Sequence, residues 1–118
     1  MEGMDTPDPV LADARALALR DLEATGAADA ETVSALEDAV AARRWWADQW
    51  AEGAAYVAGL VAQDLQDALL TSRGKWPLCT ACDHLDPHAL YIHPDLGGPD
   101  PTWVCEVSGI EVAPLGRL

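Results

Sequence analysis

Between Gly26 and Gly74 the chain meets no proline, whereas six of its eight prolines fall at positions 77, 87, 94, 99, 101 and 114. Proline fixes φ and removes a backbone donor, so regular helix is excluded from the second stretch and permitted in the first. The expected fold is therefore mainly α with a small β unit: a helical region over 9–73, then a β segment over 74–118. At 118 residues this is one domain, or one domain with a small appendage. Residues 1–8 are polar and proline-interrupted, and read as a mobile tail.

The helical half carries its own punctuation. Asp8 suits an N-cap and Pro9 the first helical position, where its missing N–H is not needed. Val10, Leu11, Ala14, Leu17, Ala18 and Leu22 recur at helix spacing, with Asp13, Arg20 and Asp21 set off that face. Gly26 is a plausible stop, which predicts a first helix over about 9–24.

A second helix is predicted over about 30–72, roughly 60 Å long. Positions 33, 36, 40, 43, 47, 50, 54, 57, 61, 64 and 68 alternate by three and four, and nine of these eleven are apolar. Such a seam predicts either a helical hairpin with the first helix or a long coiled-coil-like helix. Arg43 and Asp64 interrupt it. The first helix is too short to cover the whole stripe, so a protein partner or self-association through the long helix is expected. Trp46, Trp50, Val57 and Leu60 are the candidate partner-binding residues, with core packing as their other reading. Gly53 and Gly59, each costing about 1 kcal/mol in a helix, mark close helix contacts or a break into two helices.

Charge narrows the partners. Seven basic side chains stand against 20 acidic ones, a net charge of -13, and Lys75 is the sole lysine. Phosphate backbones are bound by clustered Lys and Arg, so nucleic acid is disfavoured as a partner. No apolar run approaches the roughly 18–20 residues that span a bilayer, and the first residues lack a basic-then-apolar leader. No membrane association is expected.

The chemistry sits after Gly74. Short extended stretches cover 89–93, 102–107 and 110–113, with Ser108-Gly109 as a tight turn and 94–101 as a loop. Cys79-x2-Cys82 precedes the first strand and Cys105 lies in the second. A tight C-x2-C turn aims two thiolates at a common point, and tetrahedral zinc then needs two more ligands. Cys105 supplies a third. Ser108 stands where the fourth cysteine of a double-knuckle zinc ribbon would fall, so a histidine must take its place if the site is closed at all. His88 is the leading candidate at Cys-x2-Cys-x5-His, with His84 as the alternative fourth ligand and His93 a third choice. Three buried thiols and three surface imidazoles are the plain alternative. A disulfide framework is disfavoured by the odd cysteine count. A structural Zn2+ is expected, because a Pro- and Gly-rich segment with few large apolar side chains needs another source of stability. No His-x-Glu precedes Cys79, and no Gly-rich phosphate loop, Ser-His-Asp set or His-Glu-x2-His helix is present. A catalytic role is not expected.

The run Trp76-Pro-Leu-Cys-Thr-Ala-Cys82, with His88-Ala-Leu90, Trp103-Val-Cys105, the apolar terminus Val112–Leu118 and Asp64-Leu-Gln-Asp67, resembles small actinobacterial and actinophage proteins ending in a degenerate zinc-ribbon segment. The resemblance covers about 55 of the 118 residues. In that group the position of Cys82 is often His, which implies a metal ligand there, and the His-Ala-Leu match favours His88. The spacing from Cys82 to His88 is longer than in the group, which keeps His84 open. The resemblance brings no activity. The apolar stripe and the zinc-stapled β unit lead to the expectation of a non-enzymatic structural or adaptor protein of a larger assembly, cytoplasmic or virion-associated, and a component of a phage-like particle fits the resemblance. The alternative is a zinc-ribbon regulator contacting nucleic acid or the transcription machinery.

Overall fold

The computed structural model describes residues 9–49, 51–83, 85–95 and 98–118. Three helices, α1 (Pro9–Ala24), α2 (Ala30–Gln49) and α3 (Ala54–Ser72), precede three strands, β1 (Leu90–His93), β2 (Thr102–Cys105) and β3 (Glu111–Pro114). The tail expected over 1–8, together with Trp50 and His84, lies outside the described residues.

Local chemistry sets the helix ends. At the end of α1, Gly26 takes φ +71°. The Ala27 N–H then reaches the Leu22 carbonyl at 2.8 Å and the Gly26 N–H the Glu23 carbonyl at 3.1 Å, the paired bonds of a Schellman close. Helix α2 opens with a reciprocal capping box. The Thr32 N–H donates to Asp29 Oδ1 at 2.9 Å, and the Asp29 N–H donates to Thr32 Oγ1 at 3.0 Å. The Thr32 N–H, and with it the Arg73 guanidinium at 2.5 Å, hold the Asp29 carboxyl below its ordinary range.

The single helix expected over 30–72 is two helices, parted by a short 3-10 turn at Ala51–Gly53. This overturns the long coiled-coil-like helix, and it has a clear cause. Folding the seam back on itself lets its two halves bury each other, which a lone helix leaves in water. Leu36 and Val40 of α2 and Val57 and Val61 of α3 are accordingly buried in one core with Leu11, Ala14, Ala18 and Leu22 of α1. The two interruptions of the seam meet across the hairpin: Arg43 holds Asp64 in a two-pronged pair at 2.7 and 3.0 Å. Arg43 also lies over the Trp46 ring, 5.6 Å from its centroid. The Arg15–Glu37, Arg43–Asp64 and Arg73–Asp29 pairs run α2 antiparallel to both neighbours, giving an up-down-up bundle.

Val57 and Leu60, two of the candidate partner-binding residues, are 0% and 8% exposed. They serve the bundle's interior, so the partner role expected of them is corrected. Trp46 is half-buried at the α2 end of the hairpin.

The strands form an antiparallel sheet in the order β1-β2-β3. Along β1, Leu90 and Ile92 face inward while Tyr91 and His93 face out. The sheet packs on the bundle through Leu90, Ile92, Trp103 and Leu115, which join the helical core, as does Trp76 ahead of the sheet. Trp76 and Trp103 meet edge to face at 5.7 Å. Each indole N–H finds a partner on or just after α1: Trp76 Nε1 donates to Thr25 Oγ1 at 2.9 Å and Trp103 Nε1 to Asp21 Oδ2 at 2.7 Å. Gln66 of α3 donates to the carbonyls of Trp76 at 3.1 Å and Leu90 at 2.8 Å.

Asp21 is fully buried, contrary to its expected place off the apolar face. Its carboxylate accepts three donors: the Trp103 indole, the Gly116 N–H at 2.7 Å and the Leu118 N–H at 2.9 Å. A buried carboxylate is tolerated when its lone pairs are met in this way. The segment after β3 is thereby tied to α1. Gly116 sits at φ +90°, and a Cβ there would stand 2.5 Å from Leu17 Cδ2. Glycine is required on both counts.

Candidate metal centre

Two short turns and one strand end bring four donors together. Ahead of β1 the chain runs antiparallel to itself. The Leu90 N–H donates to the Pro77 carbonyl at 2.9 Å, the Cys79 N–H to the His88 carbonyl at 2.8 Å, and Leu78 bridges Ala89. This ladder sets Cys79 and His88 opposite one another. The chain then turns through Thr80 and Ala81, with the Ala81 N–H 3.4 Å from Cys79 Sγ, and delivers Cys82 Sγ to 3.9 Å from Cys79 Sγ.

The third thiol comes from β2. Cys105 ends that strand opposite Leu90, so it faces the base of the ladder. The turn after it aims the Val107 and Ser108 N–H groups at Cys105 Sγ, at 3.4 and 3.3 Å. Gly109 at φ +77° closes that turn, its N–H donating to the Cys105 carbonyl at 3.0 Å. Ser108, in the place of a fourth knuckle cysteine, thus supports Cys105 through its backbone.

Cys105 Sγ lies 3.8 Å from Cys82 Sγ, and His88 Nε2 lies 3.1 Å from Cys82 Sγ. The four donor atoms of Cys79, Cys82, His88 and Cys105 all fall within 4.8 Å of one another. Four ligands at about 2.3 Å around a tetrahedral ion stand about 3.8 Å apart, which matches the sulfur spacing. His88 and Cys105 are buried and the other two half-buried. Among the described residues, no other group of Cys, His, Asp and Glu side chains meets this criterion.

The imidazole is oriented for ligation. His88 Nδ1 lies 2.8 Å from the Asp86 carbonyl, a bond that puts the ring proton on Nδ1 and turns Nε2 toward the sulfurs. That carbonyl, with the neighbouring sulfurs of Cys79 and Cys105, raises the His88 pKa to about 9 against the opposing effect of burial. Burial pushes the Cys105 thiol up, but bonds from the Ser108 hydroxyl and from the Ser108 and Val107 N–H groups bring it down to about 5. A thiolate beside donor groups is the species a metal ion takes up. Glu106 closes the site's edge. Its carboxylate accepts the Ala89 N–H, which holds it below the usual range, and pairs with Lys75 at 3.4 Å.

Of the three histidines weighed for the fourth position, the structure brings His88 to the sulfurs. His93 stands exposed at the far end of β1 and is outside the cluster. The Asp86 carbonyl and the N–H groups after Cys105 carry no side-chain signature, so residue types alone do not point to them. No helix among the described residues is long and apolar enough to cross a membrane.

A family model described as a domain of unknown function, DUF8819, matches residues 7–115. It therefore takes in both the bundle and the sheet. No curated protein and no solved structure matches the chain.

Proposed function

The chain belongs to the DUF8819 family, and we propose that it is a non-enzymatic structural or adaptor protein whose β unit is stapled by one Zn2+. Cys79, Cys82, His88 and Cys105 hold the ion. The observation that carries this reading is the convergence of the four donor atoms within 4.8 Å of one another, with two sulfur–sulfur distances of 3.8 and 3.9 Å. Zinc suits a mixed thiolate and imidazole set and brings no redox chemistry. Four protein ligands leave no position for a reacting water, which is the pattern of a structural rather than a catalytic site.

The ion's task follows from where its ligands stand. Cys79 and Cys82 come from the turn before β1, His88 from the ladder strand and Cys105 from the end of β2. One ion therefore joins segments that the short strands alone hold by few bonds. With Val57 and Leu60 inside the bundle, a protein partner meets the exterior, where a net charge of -13 favours a basic or neutral surface. The resemblance to actinophage proteins supports a place in a phage-like particle or its assembly.

Native mass spectrometry of the purified chain, with and without chelator, tests the staple. One zinc per chain, removed by chelator, is the expected result. A chain that stays metal-free when refolded with zinc overturns it.

A further inference from the structure

A cleft of about 560 Å³ lies where the ends of α1 and α3 meet the sheet; none of the four Cys/His donors lines it, although Leu78 and Thr80 on either side of Cys79 do. We infer that this cleft is a binding site for a small organic anion with an apolar body. Its cationic side is formed by Arg73, Lys75 and Arg117, and its apolar walls include Trp76, Leu78 and Val112. Three of the chain's seven cations thus border one cavity, and none of its 20 acidic residues does. A chain of net charge -13 repels anions over most of its surface, so a cavity bordered by cations and lined by no Asp or Glu is where a negative group meets the least repulsion.

The cations differ in how free they are. Arg73 is held by Asp29 and Glu31, and Lys75 pairs with Glu106 at 3.4 Å. Arg117 forms no ion pair among the described residues, and it is exposed. It is the group with charge to offer an arriving carboxylate or phosphate, while Lys75, half exposed, exchanges a weak surface pair for the ligand. Leu78 is 50% exposed, so an apolar body laid against it removes surface from water. The volume is in the range of small-molecule sites, roughly 300–1,000 Å³. A compact anion profits from the three cations, whereas an extended polyanion such as nucleic acid or an acidic peptide would run onto the acidic exterior. This reading does not depend on which metal fills the cluster.

The test is an NMR titration of the full-length, metal-loaded chain with octanoate and with 4-phenylbutyrate, octanamide serving as the uncharged control. We expect saturable shifts at the Trp76 indole N–H and at the Leu78, Thr80 and Val112 amides with at least one of the two anions. Octanamide should bind at least about fivefold more weakly, and Arg117→Ala or Lys75→Gln should weaken the anion by a similar factor. Both variants alter exposed side chains, and their spectra report whether the fold is kept. No saturable shift with either anion, equal binding of octanamide, or unchanged binding in both variants overturns the site.

Discussion

The bundle and the sheet are held by different means, although one core runs through both. In the bundle, stability is spread over many small contributions: Leu11, Ala14, Leu22, Leu36, Val57, Val61, Leu65 and Leu69 are each buried to 2% exposure or less. In the sheet it is concentrated. Three four-residue strands contribute Leu90, Ile92, Trp103 and Val104 to the interior, and the rest depends on the Cys/His cluster, two indole hydrogen bonds and one buried carboxylate. Distributed burial degrades gradually under substitution, whereas a few indispensable groups fail one at a time. Substitutions in 74–118 should therefore have larger and more separable effects than those in 9–73.

The largest effect should come from the cluster itself. Cys105→Ser, or chelation of the parent chain, removes an interaction that in structural zinc sites is worth on the order of 10 kcal/mol. Hydrogen exchange should accelerate strongly across 76–118 while most far-UV helical signal survives. Equal loss of protection across 9–72 would show that the two regions unfold as one unit and would break the comparison. Unchanged exchange in 76–118 would remove the metal from the account.

Asp21→Ala comes next, because it attacks the junction between the two regions. The substitution leaves the Trp103 indole and the Gly116 and Leu118 N–H groups without their acceptor. Stranding one buried and two part-buried donors costs about 2–4 kcal/mol. Urea unfolding of the metal-loaded protein should show that loss, with Asp21→Asn intermediate because one amide oxygen remains an acceptor. A change under 1 kcal/mol would mean that the end of the chain is anchored by Leu115 rather than by the carboxylate.

A smaller effect separates backbone conformation from close packing. Gly26 and Gly116 both hold positive φ, +71° and +90°. A Cβ at Gly26 meets nothing within 4 Å, but at Gly116 it runs into Leu17. Gly26→Ala should cost about 1–2 kcal/mol from conformation alone. Gly116→Ala should cost that and about 1–3 kcal/mol more for overpacking against α1. Equal melting temperatures in the two variants would remove the contact as a determinant.

Several of these features are legible in the sequence, for physical reasons that also explain the failures. Pro9 and Gly26 bracket α1 because a fixed φ at the first turn and left-handed closure are properties of single residues. Cys79, Cys82, His88 and Cys105 can be picked out because ligand spacing is set by turn geometry over a few residues. The division of the 30–72 stretch is harder to see. Both arms of a hairpin bury apolar faces, so apolar residues go on recurring at helix spacing past the turn and Gly53 is the sole local sign. The line buried in α3, however, runs through Val57, Val61, Leu65 and Leu69 rather than Asp64 and Ala68. Asp21 is buried seven residues after Ala14, a heptad repeat that returns it to the buried stripe. Its acidity argued for solvent, and its three donors lie some 80 to 97 residues away. Long-range partners of that kind leave no periodic trace.

Arg43 and Asp64 carry the subtler version of the same lesson, and the smallest predicted effect. As isolated faults in an apolar seam they look destabilising, yet opposite charges at two interruptions also encode the register of a hairpin. Their side chains are 23% and 30% exposed, so the pair is partly shielded without being desolvated. A double-mutant cycle with Arg43→Met and Asp64→Leu should give a coupling of about 0.5–1 kcal/mol. Each single variant should be less stable than the double, because each leaves one charge facing an apolar seam. If the double variant keeps one thermal transition and the same helical content, the apolar stripe alone directs the hairpin and the ion pair only trims it. If it instead populates a second register or an oligomer, the two charges are what make the long stripe fold back on itself.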